Sequence, residues 1–317
     1  MIVYIALLII GFIILIKGAD IFVDGASSVA GNFKVSKMLI GLTIVAFGTS
    51  APEFAVSVKS LLSGSGDIVL GNVIGSNILN ILLILGVSSM FHSLKVKDNT
   101  VKKELPITLL MTAIFIVLLS DKLFDKGFNN TFTRSDGIVI ILFFLVFVYY
   151  LIKMARNKID KSQDEKYMSM KKAILFTILG IAGIIIGSNL VVENASAMAR
   201  AIGISESMVA LTIVALGTSL PELVTSITAT RKGEYDIAIG NVVGSNIFNI
   251  GMVIGAPIAI FGGIQQFSIN YIDLITMIAS AFLLFAFSYN DRKISKFEGS
   301  IFLIMFVVYY GYVIYRG

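Results

Sequence analysis

The chain contains no cysteine and only one histidine, His92, and these absences exclude several kinds of site. Without cysteine there is no disulfide, no thiolate metal site and no cysteine nucleophile. A single histidine cannot supply a histidine metal cluster. Charge is also scarce, because Asp, Glu, Lys and Arg make up 14% of the 317 residues, against about 25% in ordinary soluble domains. This balance argues against a soluble enzyme.

Hydrophobic residues, in contrast, make up 56% of the chain. They form runs close to the roughly 20 residues that cross a bilayer as a helix. The runs predict an all-α integral membrane protein with ten transmembrane helices, at about 2–30, 37–62, 67–91, 105–120, 136–153, 172–198, 206–230, 235–262, 269–289 and 297–315. No basic residue precedes the first run, so we expect a retained span and not a signal peptide.

The positions of Lys and Arg predict the orientation. With the N-terminus outside, the cytoplasmic segments hold eighteen basic residues and the outer segments hold five. Cytoplasmic loops of membrane proteins carry such an excess. We therefore expect a multi-pass protein of the cell membrane with both termini extracellular. Nucleic acid is not an expected partner, and no obligatory protein partner is evident.

An internal repeat relates the two halves of the chain. Residues 16–81 align without a gap with residues 185–250, and about 30 of the 66 positions are identical. Five predicted spans separate corresponding points, so the second copy enters the membrane from the opposite side. Such inverted repeats are typical of secondary transporters, which bind substrate near the midplane. The predicted domains are a five-helix repeat at 1–153, a cytoplasmic linker at 154–171 and a second five-helix repeat at 172–317.

One motif places a polar, helix-disrupting segment inside an apolar span of each copy, GTSAPE at 48–53 and GTSLPE at 217–222. Proline lacks an amide donor and collides with the preceding turn, so we expect nearby backbone carbonyls to be free. These carbonyls belong to Ala46, Thr49, Ala215 and Thr218. With hydroxyls and the carboxylates of Glu53 and Glu222, they predict an all-oxygen site for a hard cation such as Ca²⁺, Mg²⁺ or Na⁺.

A second motif, GNVIGSN at 71–77 and GNVVGSN at 240–246, is followed three residues later by another asparagine. The serine and this asparagine are four residues apart, so they share one face of a helix. The pairs are Ser76 with Asn80 and Ser245 with Asn249. The polar face has two open interpretations: it bonds a neighbouring helix, or it completes an oxygen cage around the glutamates. For the glycines, packing is the preferred interpretation.

At these two motifs the sequence resembles the calcium/cation antiporter superfamily, most closely its prokaryotic sodium/calcium exchanger branch. The resemblance implies a secondary active antiporter, with no cofactor, in which Na⁺ moving in drives Ca²⁺ out by alternating access. It implies a Ca²⁺ site at Thr49, Glu53, Thr218 and Glu222. It also implies flanking Na⁺ sites at Ala46, Ser50, Ser76, Ala215, Ser219 and Ser245, with Asn80 and Asn249 closing the centre.

One position departs from part of this family. In several members one of the two central amides is an aspartate, which in the potassium-dependent branch is tied to K⁺ use, whereas both Asn80 and Asn249 are amides here. We therefore expect exchange without K⁺. Two alternatives stay open: a Ca²⁺/H⁺ antiporter that uses the glutamates as proton carriers, and a passive cation channel. A channel has no need of an inverted repeat.

Other candidates are weaker. Asp20, Asp24 and Glu193 lie in the first span of their halves, where they either line an ion entrance or are simply hydrated near a helix end. The sequence contains no two-aspartate GxGD pair, HExxH or GxSxG, so protease or hydrolase chemistry has no support. We therefore do not expect an enzyme.

Overall fold

The computed structural model describes residues 2–124, 130–157, 167–203, 213, 215–265, 267 and 269–316. Nearly all of their regular structure is helical. The helices of the first half are α1 (Ile2–Phe33), α2 (Lys37–Thr49), α3 (Ala51–Leu62), α4 (Gly66–Phe91), α5 (Leu105–Leu118), α6 (Asp121–Phe124) and α7 (Arg134–Arg156). Those of the second half are α8 (Met170–Ala201), α9 (Ala215–Thr218), α10 (Leu220–Arg231), α11 (Tyr235–Phe261), α12 (Tyr271–Asp291) and α13 (Lys296–Arg316).

Several stretches of these helices are wound as wider π-helical turns. They are Gly41–Val45 within α2, Asn80–Leu85 within α4, Thr100–Glu104 ahead of α5 and Asn249–Gly255 within α11. Such turns are rare and occur frequently at functional sites. Two of them begin at the asparagines that the sequence places at the centre of the site.

Among the described residues, seven helices are long and apolar enough to cross a membrane, and the pair α2 and α3, bent by 47°, is an eighth candidate. The all-helical membrane class is therefore confirmed. The predicted span at 105–120 corresponds to α5, whose 14 residues are too few for it to be one of these candidates. Helical winding precedes α5 from Asp98 onwards, in a polar stretch that hydropathy does not detect. The predicted span at 206–230 lies partly outside the described residues, and its described part is α9 and α10.

A short antiparallel pairing joins two of the connectors between the helices. Strand β1 (Leu94–Lys95) pairs with β2 (Lys293–Ile294), and Leu94 lies opposite Ile294. A second bridge joins Phe132 to Ile264 through two backbone hydrogen bonds of 2.9 and 2.8 Å. These extended connectors satisfy one another's backbone groups, which would otherwise need water or a helix.

Helical structure extends a few residues into the predicted 154–171 linker from both sides. Helix α7 continues to Arg156 and α8 begins at Met170. Residues 158–166 lie outside the described residues. Basic residues in the last turn of α7 favour the helix by opposing its dipole, so their charge does not mark its end.

Burial separates a central pair of helices from a peripheral pair. In α4 and α11 the apolar window is 72% and 89% buried, whereas in α1 it is 22% buried. Helices α1 and α8 pack closely along their length through glycine. A Cβ atom at Gly18 would lie 2.8 Å from the Ile184 backbone nitrogen, and one at Gly187 would lie 2.5 Å from that of Leu15. Small residues allow this close approach of two helices. Helices α4 and α11 form the buried centre of the protein.

Candidate functional site

The site begins where the two motif-bearing helices are interrupted. Ser50 separates α2 from α3 with φ −84° and ψ 6°. Ser219 separates α9 from α10 with nearly the same angles, −90° and 3°. In each copy the motif proline lies in the first turn of the new helix, where its missing amide has no helical partner to lose. Glu53 and Glu222 follow directly, and each is only 1% exposed.

Each glutamate is held by a serine from the other half of the chain. Ser50 Oγ donates to Glu222 Oε1 at 2.9 Å, and Ser245 Oγ donates to the same oxygen at 3.4 Å. In the opposite sense, the Ser219 hydroxyl lies close enough to the Glu53 carboxylate to interact with it. Each carboxylate is therefore approached by a hydroxyl from the other half, so the site is formed where the repeats meet.

The second motif brings four asparagines together from the two halves. Asn80 Nδ2 donates to Asn246 Oδ1 at 2.9 Å, and Asn249 Nδ2 donates to Asn77 Oδ1 at 3.1 Å. All four side chains are at most 2% exposed. The sequence singled out Asn80 and Asn249 but missed their two partners. The available signal was that an asparagine directly follows the serine in both copies.

Four oxygen atoms at this centre have no hydrogen-bond donor among the described residues. They are Oε2 of Glu53, Oε2 of Glu222, Oδ1 of Asn80 and Oδ1 of Asn249. Leaving a buried polar atom unpaired costs about 1–3 kcal/mol. One cation can satisfy several oxygen acceptors at once, and oxygen ligands favour a hard one. We call these four residues the central cage.

The charge of the central cage is not balanced by basic side chains of the described residues. The ion pairs of the structure lie elsewhere, and the groups that act on Glu53 and Glu222 are hydroxyls, backbone groups and the other glutamate. The described residues contain no cluster of three or more His, Cys, Asp or Glu side chains. Two carboxylates and neutral oxygens are thus the available ligand set.

Comparison with known proteins identifies the family. A family model described as sodium/calcium exchanger protein matches residues 3–153 and 172–315. The chain belongs to the sodium/calcium exchanger family. It is 36% identical to the putative antiporter CaxA of Alkalimonas amylolytica over 95% of both chains. It is 30% identical to the sodium/calcium exchanger MaX1 of Methanosarcina acetivorans over 96% of both.

A solved structure agrees with this assignment. The sodium-calcium exchanger NCX_Mj aligns with a TM-score of 0.84 and 31% identity, and the alignment covers 97% of each chain. The resemblance inferred from two motifs is therefore confirmed, and so is the function predicted from it, that of an antiporter. This exchanger family consists of transporters, in agreement with the expectation that the chain is not an enzyme.

The serines assigned to Na⁺ lie beside the glutamates in this exchanger. Ser50 Oγ is 3.0 Å from Ser245 Oγ, and Ser219 Oγ is 3.5 Å from Ser76 Oγ. Each contact joins a broken helix of one half to a central helix of the other. The four hydroxyls thus form two pairs related by the repeat, one next to each carboxylate.

The expectation for the Ala46 carbonyl was wrong in one respect. This carbonyl is not freed by the proline, because it accepts the Ser50 amide at 3.0 Å. The Thr49 hydroxyl lies 3.3 Å from the same oxygen, so the Ala46 carbonyl has two donors of the protein beside it. The side chain of Ala215 lies outside the described residues, and its backbone begins α9.

Thr49 and Thr218 are the last residues of α2 and α9. Each of them directly precedes the serine at which its helix is interrupted. The Thr49 side chain is buried, and its hydroxyl donates to Asn241 Oδ1 at 3.0 Å.

Two further asparagines that the sequence did not single out support the glutamates. Asn72 Nδ2 donates to the Glu53 backbone carbonyl at 3.1 Å, and Asn241 Nδ2 donates to that of Glu222 at 3.4 Å. Each amide also bonds a serine one turn further along the glutamate's helix, at 3.0 Å in both copies. These hydrogen bonds link α3 to α4 and α10 to α11, and so they fix the backbone from which each glutamate side chain extends.

The weaker acidic candidates lie outside this network. Lys232 Nζ is 2.7 Å from Asp24 Oδ1, and it also donates to the Asp20 backbone carbonyl at 2.8 Å. Glu193 is exposed on α8. His92 is exposed at the end of α4. None of these side chains hydrogen-bonds to a residue of the central cage within the described part of the chain.

Proposed function

We propose that this exchanger moves Na⁺ and Ca²⁺ in opposite directions across the cell membrane by alternating access, and that Ca²⁺ binds at the central cage with the Na⁺ sites beside it. The observation that carries the proposal is the pair of buried carboxylates, Glu53 and Glu222, whose Oε2 atoms have no protein donor among the described residues. Two negative charges balance one Ca²⁺ or more than one Na⁺. A cage of this charge therefore suits ions that replace one another.

We assign Ca²⁺ to the carboxylates of Glu53 and Glu222 and the carbonyls of Thr49 and Thr218. Carboxylates with backbone carbonyls are the usual ligand set of this hard cation. The oxygens of Asn80 and Asn249 complete the centre. The Na⁺ sites flank it, at Ala46, Ser50, Ser76, Ala215, Ser219 and Ser245. The short contacts between serines and carboxylates support this arrangement, because an ion at one site shares ligands with the next.

We propose further that the chain is built from two inverted five-helix repeats, 1–153 and 172–317, joined by a cytoplasmic linker. Related turns support this. Gly64 and Gly233, 169 residues apart, have φ of 74° and 76°. Positive φ of this kind is adopted readily by glycine. The two β contacts are also related. One joins the connector after α4 to the connector before α13, and the other joins the connector after α11 to the connector before α7. Each therefore links equivalent connectors of the two halves.

The proposed inverted repeat explains how the protein could alternate between two conformations. Two halves of similar structure and opposite orientation can exchange conformations, which moves the opening of a fixed central site from one side of the membrane to the other. The distribution of basic residues supports an orientation with both termini outside, by the positive-inside rule. In this orientation Arg231 and Lys232 face the cytoplasm.

The test is Ca²⁺ uptake into proteoliposomes under two imposed gradients, one of Na⁺ and one of pH. We expect an outward Na⁺ gradient to drive uptake and a pH gradient without Na⁺ to have little effect. Uptake that follows only the pH gradient would establish the Ca²⁺/H⁺ alternative. Ca²⁺ entry that needs no counter-ion would establish a channel. Vesicles containing Glu53→Gln protein provide the matched control.

A further inference from the structure

The two central amides of the cage must be oriented before either can serve a cation. An asparagine side chain ends in one acceptor, Oδ1, and one donor group, Nδ2. Rotation of the amide by 180° exchanges them at almost no change in shape. Only one orientation of Asn80 and Asn249 offers oxygen to an ion, and the other offers an N–H group that repels it.

The Asn246 side chain has its own orientation fixed by the backbone. Its Nδ2 donates to the Asn77 backbone carbonyl at 3.3 Å, and a carbonyl oxygen can only accept. Asn246 Oδ1 must therefore point the other way, towards Asn80, where it accepts Nδ2 at 2.9 Å. Because Asn80 uses its Nδ2 for this hydrogen bond, its Oδ1 faces the other way. That oxygen has no donor among the described residues.

The equivalent chain of contacts in the other direction is less constrained. Asn77 Oδ1 accepts Asn249 Nδ2 at 3.1 Å, which again leaves Asn249 Oδ1 without a donor. However, Asn77 Nδ2 has no partner among the described residues. The Asn77 amide is therefore oriented by a hydrogen bond to its Oδ1 alone, whereas the Asn246 amide is oriented by hydrogen bonds to both Oδ1 and Nδ2.

We propose that Asn77 and Asn246 are positioning residues for ion binding: each accepts the amide of the central asparagine from the opposite half and so presents that asparagine's oxygen to the ion. The inference rests on the proposed function, since it needs Asn80 and Asn249 to be ligands. Neither positioning residue touches the ion. Partners one shell away from a metal commonly contribute about 10- to 100-fold to its affinity.

A double-mutant cycle tests the Asn246 branch. Asn246→Ala removes the acceptor, so Asn80 is free to turn its N–H groups inward. We expect the KM for Ca²⁺ in Na⁺-driven exchange to rise about tenfold or more, with a smaller change in kcat. Asn80→Ser is the second variant, because a hydroxyl rotates freely and offers an oxygen without being oriented. In the Asn80→Ser background, Asn246→Ala should change KM by less than about twofold.

The second branch supplies the matched control. Asn77→Ala acts through Asn249, so its effect on KM should be the same with Asn80 or Ser at position 80. Because Asn77 is held at one end only, that effect should also be smaller than the effect of Asn246→Ala. Equilibrium Ca²⁺ binding to the purified variants gives the same comparison where flux through an Asn80→Ser protein is slow.

The outcomes separate this inference from the function on which it rests. If Asn246→Ala raises KM equally in both backgrounds, or in neither, the positioning role is wrong while the exchanger assignment stands. If the unmodified protein shows no Na⁺-driven Ca²⁺ flux, both are overturned. Should the alanine variant not be monodisperse in detergent, Asn246→Ser takes its place, because serine keeps a polar group on the helix but is too short to reach Asn80.

Discussion

Acidic side chains have different partners in the central cage and at one end of the helices. At that end a set of contacts, which we call the ion-pair belt, joins each acid to a basic residue. The belt consists of Lys37–Glu234, Lys97–Asp236, Lys232–Asp24 and Arg292–Asp98. In the cage, Glu53 and Glu222 are buried and meet hydroxyls instead. The protein balances the charge of the belt but not that of the cage.

This difference supports the proposed position of the transported ions. An exposed ion pair contributes little, since water already solvates both partners. A buried carboxylate without a counter-charge is costly unless a cation or a proton neutralises it. Among the described residues no basic side chain supplies that charge to the cage, so we propose that the transported ions supply it. A permanent Lys or Arg partner would give a stable structure that has no reason to release one ion for another.

The largest effect is expected from removing charge from the cage. Glu53→Gln and Glu222→Gln should each abolish Na⁺-driven Ca²⁺ transport and leave the protein folded, because glutamine keeps the shape of the side chain and loses the charge needed for a divalent ion. Proteoliposome Ca²⁺ flux is the measurement. Glu298→Gln is the control, since Glu298 caps α13 through Ser295 and lies outside the cage. Near-normal exchange in either cage variant would remove the central assignment.

Adding charge to the cage should have the next largest effect. Asn249→Asp places a third carboxylate among ligands that already balance Ca²⁺. It should either take up a proton, so that exchange becomes dependent on pH, or recruit a further monovalent ion. Na⁺-driven Ca²⁺ flux across pH, with and without K⁺, distinguishes these results. The unmodified protein should need no K⁺. Identical profiles for the two proteins would place Asn249 outside the ion path.

Exchange should also respond to the membrane potential. The family expectation of more than two Na⁺ per Ca²⁺ means that net charge crosses in each cycle, and each charge gains or loses about 2.3 kcal/mol per 100 mV. An inside-negative potential set by K⁺ and valinomycin should therefore favour Na⁺ entry. The measurement needs conditions in which ion translocation limits the rate. If the flux there does not change with the potential, no net charge crosses the membrane in each cycle.

The smallest effect is expected in the ion-pair belt. Hydrogen bonds from Lys102 and Arg292 hold the pKa of the Asp98 carboxyl below its usual value. A carboxylate of this kind stabilises the fold above its unfolded pKa, and its contribution disappears as pH falls through the folded pKa. Asp98→Asn should therefore lower the melting temperature only slightly at pH 7, and the difference should vanish in acid. Transport should be unchanged. A loss of flux comparable to that of Glu53→Gln would break the comparison.

Much of the site could be predicted from the sequence because polar residues stand out in apolar spans. Glu53 and Glu222 were found in this way, and the repeat provided each of them with an equivalent. Hydropathy also located most helices, since an apolar run bounded by charge needs little knowledge of packing. It failed at Asp98, where the helical winding begins among polar residues and the apolar side chain of Val101 is buried.

The partners of the predicted residues could not be found in the same way. Asn246 is 166 residues from Asn80 in the chain, and Asn77 is 172 residues from Asn249. These contacts depend on how the two halves pack, which local patterns do not contain. The pairing of Leu94 with Ile294 has the same origin. Repeated residues were a usable signal, because Asn77 and Asn246 occupy equivalent positions.

Equilibrium Ca²⁺ binding to the purified protein, titrated with and without Na⁺, tests the central claim most directly. If the carboxylates of Glu53 and Glu222 provide the charge for both ions, Ca²⁺ should bind at one site per chain and Na⁺ should displace it. Either glutamine variant should lose this site. Ca²⁺ binding that is unchanged in both variants, or that Na⁺ does not affect, would contradict the account.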